Sequence, residues 1–109
     1  MLDGKVALIT GAAQGIGFAI SEAFAKNNTD VVLTDYNPQV VEAAQKLSDK
    51  YQGNIIGLVM DVTDDESIQK GLDKTMDKFG RLDYVVNNAG GGVLKPFAEL
   101  TNEDFDSTV

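Results

Sequence analysis

Val6-Ala7-Leu8-Ile9-Thr10-Gly11-Ala12-Ala13-Gln14-Gly15-Ile16-Gly17 is the stretch on which the fold of this chain turns. Its first four residues form a short, continuous apolar run, the pattern of a strand buried on both faces. Ile16, Ile20, Ala23 and Phe24 then recur at helical spacing. A strand that passes through glycines straight into a helix leaves the helix N-terminus at the turn. The first N–H groups of that helix lack partners and sit at the positive end of its dipole, so the turn suits an anion. Glycines also let a diphosphate approach the backbone. The next strand-like run, Val31-Val32-Leu33-Thr34, ends in Asp35. Its distance from Gly11 is near the roughly 20-residue spacing at which a nucleotide-binding βαβ unit sets a carboxylate on ribose hydroxyls.

Beyond that unit the alternation continues. Asn37-Pro38 predicts a second helix, because Asn suits an N-cap and Pro the first helical position; its stripe is Val40, Ala44, Leu47 and Tyr51, with Gly53 at its end. A third strand runs from Ile55 to Met60 and leads into Asp61-Val62. Thr63-Asp64-Asp65-Glu66 reads as a capping box for a third helix with the stripe Ile68, Leu72, Met76 and Phe79, closed by Gly80. Asp83 to Asn87 is a fourth strand before a second glycine cluster, and Thr101-Asn102-Glu103-Asp104 opens a last helix that the end of the chain cuts off. Alternating strands and helices build a parallel sheet covered by helices on both faces, joined by right-handed crossovers.

Composition narrows the chemistry. The chain has 109 residues, one domain by length, and its 17 Asp and Glu against 9 Lys and Arg give a net charge of −8. Such a charge repels nucleic-acid backbones and anionic membrane surfaces, so neither is expected as a partner. With no cysteine and no histidine, thiolate nucleophiles, disulfides, Ser-His triads and His- or Cys-ligated metals are excluded within the chain. No secretory signal precedes the first strand and no segment reaches membrane-spanning length, so a cytoplasmic protein is expected. Asn27-Asn28-Thr29 is then a polar loop rather than a glycosylation site. Ser67-Ile68-Gln69-Lys70 has the spacing of a serine–lysine nucleophile but none of the other parts of such a site.

Four motifs in order, Thr10-Gly11-x-x-x-Gly15-Ile16-Gly17, Asp35, Asp61-Val62 and Asn87-Asn88-Ala89-Gly90, closely resemble those of the short-chain dehydrogenases/reductases over essentially the whole chain. The glycine spacing is similar to the shorter branch of that family, and Asp35-Tyr36-Asn37 is similar to acetoin, diol and polyol dehydrogenases. The resemblance implies an α/β fold: the first half of a Rossmann-like parallel sheet, with four strands in the order 3-2-1-4. It implies that Gly11, Gln14, Gly15, Ile16 and Gly17 lie at the pyrophosphate of a dinucleotide. Asp35 would accept from the adenosine ribose hydroxyls. Asp61 and Val62 would meet adenine, and Asn88, Ala89 and Gly90 the nicotinamide ribose. A carboxylate at Asp35, with no positive charge at Gln14 or Tyr36, implies NAD rather than NADP. No metal is implied.

The same resemblance implies a catalytic Tyr with a Lys four positions later, a Ser and a supporting Asn. None of these is met. The residues four positions after Tyr36, Tyr51 and Tyr84 are Val40, Ile55 and Asn88. The expectation is a truncated dinucleotide-binding domain, residues 1–109, from an oxidoreductase that moves hydride between a nicotinamide cofactor and a small alcohol or ketone. The chain itself is expected to be inactive. A stand-alone nucleotide-binding or interaction module is the alternative. In a half-sheet of that order the Tyr84 to Asn87 strand is an open edge, so a homo-oligomer or self-association through that edge is also expected, or marginal stability if the chain is monomeric.

Overall fold

The computed structural model describes residues 4–88 and the backbone of strand residues 93–96. Its elements are β1 (Val6–Ile9), α1 (Gly15–Lys26), β2 (Asp30–Asp35), α2 (Val40–Lys50), β3 (Ile55–Val59), α3 (Asp65–Phe79), β4 (Tyr84–Asn87) and β5 (Val93–Pro96). They form one sheet in the order β3-β2-β1-β4-β5. The first four strands are parallel in the expected order 3-2-1-4, with Leu8 of the central strand level with Val32 on one side and Val85 on the other.

Alternation along β1 sends side chains to both faces, and both are buried. Ala7 and Ile9 join Val31 and Leu33 under α1 and α2, where Ala25, Val40, Ala43, Ala44 and Leu47 close the layer. Val6, Leu8 and Val32 face the other way, against Met60, Leu82 and Leu72 of α3. The continuous apolar run of β1 therefore reflects a strand with a helix layer on each side.

Three local expectations are corrected. In α1 the buried residues are Gly17, Ser21 and Ala25, while Ile16 is 72% exposed and Ala23 faces solvent. Small side chains let this helix lie close on the sheet, and Phe18, Ile20 and Phe24 flank the contact. Asp64, not Thr63, caps α3, its side chain accepting from Glu66 N–H at 3.0 Å. Finally, β5 pairs antiparallel with β4, Tyr84 opposite Pro96 and Asn87 opposite Val93. β5 satisfies the outer backbone groups of β4, so the parallel four-strand sheet carries a fifth strand and the open edge expected at Tyr84 to Asn87 is occupied.

A buried clasp holds β4 to the start of β1. Asp83, 2% exposed, accepts from Val6 N–H at 2.8 Å and from the Arg81 guanidinium at 2.8 and 2.7 Å. Burial pushes its carboxyl up, but Arg81 and the Val6 N–H outweigh that and hold it below the usual carboxylate range.

Candidate functional site

The glycine-rich turn leaves β1 at its carboxyl end, and neighbours stitch it down on two sides. Ala12 N–H donates to Thr34 O at 3.0 Å and Ala13 N–H to Asp35 Oδ2 at 3.0 Å, both at the end of β2. Asn88 Nδ2 donates to Gly11 O at 3.2 Å from the end of β4, and Thr10 Oγ1 donates to Asn87 Oδ1 at 3.2 Å. The turn thus sits where strand order reverses, between β2 and β4 beside β1, the position at which open α/β sheets bind ligands.

Three glycines of the turn are required by the geometry, Gly11 at φ +62° among them. Gly15 has φ +64° and faces open space, so the start of α1 presents bare backbone. Gly17 packs so closely on Gly11 that an added Cβ would overlap the Gly11 carbonyl. Gln14, the N-cap, is extended and makes no side-chain capping bond. Among the described residues no acceptor takes the N–H groups of Gly15, Ile16 or Gly17. Together with the N–H of Gln14, for which no acceptor occurs among the described residues either, these donors are what the turn offers an anion.

Beside the turn is a cleft of about 360 Å³ lined by Gly11, Asp35, Tyr36, Met60, Asp61, Val62 and Thr63. It lies at the carboxyl ends of β1, β2 and β3, and its volume is within the range of about 300–1,000 Å³ found for small-molecule sites. Asp35 stands between turn and cleft, with Oδ1 accepting from Asn37 N–H at 3.0 Å. Asp61 is set by two neighbours. The Thr63 hydroxyl and N–H donate to its Oδ1 at 2.6 and 2.9 Å, and its own N–H donates to Ser67 Oγ at 2.9 Å. The Thr63 hydroxyl, then its N–H, holds the Asp61 carboxyl below its usual range against a smaller opposing effect of burial.

The structure therefore brings Gly11, Gln14, Gly15, Ile16, Gly17, Asp35, Asp61, Val62 and Asn88 to one end of the sheet; Ala89, Gly90 and the segment opened by Thr101 lie outside the described residues. Sequence reasoning missed Thr63 and Met60. The Asp-x-Thr pattern at Asp61 is a recognisable turn signal, but Thr63 also fits the helix cap, which masks it. The serine–lysine pattern dissolves: Ser67 anchors Asp61, and Lys70 pairs with Glu66 on the surface at 3.6 Å. No cluster of potential metal ligands occurs among the described residues, and no helix there is long and apolar enough to cross a membrane.

The short chain dehydrogenase family model matches residues 5–109. This chain belongs to that family. Among curated short-chain dehydrogenases, it is 43% identical over 108 residues to D-threitol dehydrogenase of Mycolicibacterium smegmatis, covering 99% of this chain and 42% of that protein. It is 39% identical over 105 residues to sorbitol dehydrogenase of Cereibacter sphaeroides, covering 96% and 40%. The chain therefore spans about two fifths of the length of these relatives. Among solved structures, L-sorbose reductase from Gluconobacter frateurii, complexed with NADPH and L-sorbose, superposes with a TM-score of 0.78 at 35% identity, covering 95% of this chain and 40% of that one. A short-chain dehydrogenase/reductase from Burkholderia phymatum in complex with NAD gives 0.73 at 30% identity, covering 77% and 30%. Short-chain dehydrogenases are oxidoreductases that use nicotinamide cofactors, and these two solved members differ in which one they hold.

Proposed function

We propose that this chain is the NAD-binding part of a short-chain dehydrogenase acting on a small alcohol or ketone, of the polyol or diol kind. The observation that carries the reading is the convergence, at one end of the sheet, of N–H groups that have no acceptor among the described residues and a cleft between the Asp35 and Asp61 carboxylates. The donor set fits a dinucleotide. Gly15, Ile16 and Gly17 meet the pyrophosphate with backbone donors and a helix dipole, and Gly15 leaves room for it. Asp35 accepts from the adenosine ribose hydroxyls, and a 2′-phosphate there would face a carboxylate. Asp61, ionised and held in one orientation by Thr63, accepts from the adenine amino group, with Val62 and Met60 beside the base. Asn88 holds the turn to β4 at the nicotinamide end.

When bound, the nicotinamide supplies or accepts the hydride. The residues of this chain bind and orient; none of its three tyrosines has a Lys four positions later, so the acid–base chemistry of the family is proposed to lie outside it. The names of the threitol and sorbitol relatives support a polyhydric substrate. A cytosolic location agrees with a cysteine-free chain.

Titration calorimetry of the chain with NADH and NADPH tests the proposal. NADH is expected to bind, and NADPH about tenfold or more weakly because its 2′-phosphate meets Asp35. Mixed with NADH and a small ketone, the chain should give no turnover. Equal affinities would overturn the NAD assignment, a flat NADH titration of folded protein would overturn the site, and turnover would overturn the division of labour.

A further inference from the structure

We propose that Asp35 has a second task, distinct from any contact with ribose: it is the positioning residue that fixes the glycine-rich turn in the shape that receives a diphosphate. The proposal rests on reading that turn as a diphosphate site. The carboxylate bridges two segments that covalent structure does not hold together. Oδ2 accepts from Ala13 N–H in the turn at 3.0 Å and Oδ1 from Asn37 N–H at 3.0 Å on its own side. Two further bonds lie around it, one of them backbone to backbone. Ala12 N–H reaches Thr34 O at 3.0 Å, and the buried Thr34 hydroxyl reaches Ile9 O at 2.9 Å.

The donors of the turn are thereby divided. Ala12 and Ala13 spend their N–H groups on β2, and Gly15, Ile16 and Gly17 keep theirs for a ligand. Without an acceptor at position 35, Ala13 N–H is released, and the turn between Ala12 and Gly15 loses its only side-chain tie to β2 among the described residues. A charge-assisted hydrogen bond is roughly twice as strong as a neutral one, so this tie is a substantial part of what holds the turn.

Charge and bracing make opposite demands on the ligand. A carboxylate beside an anion site repels a diphosphate, so if charge were its only effect, removing it would tighten diphosphate binding. If the carboxylate braces the turn, removing it loosens that binding. The consequence for specificity is direct. Replacing Asp35 to admit a 2′-phosphate also unlatches the turn, so such a change alone weakens both dinucleotides unless an acceptor for Ala13 is kept.

Inorganic pyrophosphate, which has no ribose, separates the two roles when titrated into the ¹⁵N-labelled chain and followed by amide shifts. Asp35→Asn keeps an oxygen acceptor and removes the charge; it should bind pyrophosphate as tightly as wild type or more so. Asp35→Ala removes both and should bind about fivefold or more weakly than Asp35→Asn, with faster exchange of the Ala13 amide and unchanged exchange in α3. Asp35→Ser, too short to span to Ala13, repeats the comparison if the alanine variant does not fold. Alanine or serine variants that bind pyrophosphate as tightly as Asp35→Asn would overturn the brace. So would a wild-type Ala13 amide with no protection and no scalar coupling to the Asp35 carboxyl carbon. A wild-type chain that ignores pyrophosphate would instead overturn the diphosphate reading of the turn, and the brace with it.

Discussion

Gly17 shows how one hydrogen atom can decide a site. Its missing side chain lets α1 rest on the Gly11 carbonyl, which sets the distance between the helix start and the end of β1. Gly17→Ala is expected to cost about 1–3 kcal/mol, the usual range for overpacking, because the atom it strikes is backbone and cannot swing away. A shift in urea midpoint with unchanged slope would show it; no shift would mean the turn is slack. Thr63 shows the opposite relation of sequence to site. Its type and position fit a capping box, yet its hydroxyl serves the Asp61 carboxylate at 2.6 Å. The pattern was visible, but two local partners competed for one hydroxyl and only the backbone path decided between them.

At the level of elements, every described helix and strand of the parallel part was legible from periodicity, whereas the faces were less so. The stripe read for α3 is correct, with Leu72 buried and Ile68, Met76 and Phe79 packed against the same cluster. The stripe read for α1 failed at Ile16 and Ala23, because contact with the sheet is made by Gly17, Ser21 and Ala25, residues that a hydrophobicity pattern undervalues. Helix starts follow the same lesson. Asn37 does cap locally, accepting from Gln39 N–H at 2.9 Å, but α2 begins only at Val40. For α3, Asp64→Ala should cost about 1 kcal/mol as the loss of an N-cap. Thr63→Ala, which removes no cap but only an exposed bond to Asp61, should cost less than that. Equal costs in thermal or chemical denaturation would restore Thr63 as the cap.

Across the whole molecule, the Asp83 clasp links stability to pH. Its carboxyl lies below the ordinary carboxylate value in the folded chain, against the push of burial, because of Arg81 and Val6 N–H. The folded state therefore gains from the ionised form above about pH 4, the unfolded value, and loses that gain as pH falls through the lower folded value. Asp83→Asn should cost about 2 kcal/mol at neutral pH and make the acid limb of stability shallower. It should not flatten that limb, since Glu22, held down by Tyr51 and Lys50, and Asp61, held down by Thr63, contribute in the same direction. Denaturation midpoints from pH 7 to pH 3 read this out, and parallel curves for the two proteins would refute it.

The sequence by itself determined the order of elements, the glycine turn at the end of the first strand, the carboxylates at the ends of the second and third, and membership of the family. Each is written in local periodicity, short spacing or motif order. The tertiary structure alone decided which face of α1 meets the sheet, the antiparallel return of β5, and the ties that shape the site. Val6 N–H to Asp83 and Asn88 to Gly11 join residues 77 positions apart, and Ala13 to Asp35 spans 22. Such contacts arise only when parallel strands lie side by side, since pairing brings distant chain positions level while leaving no periodic trace in either segment.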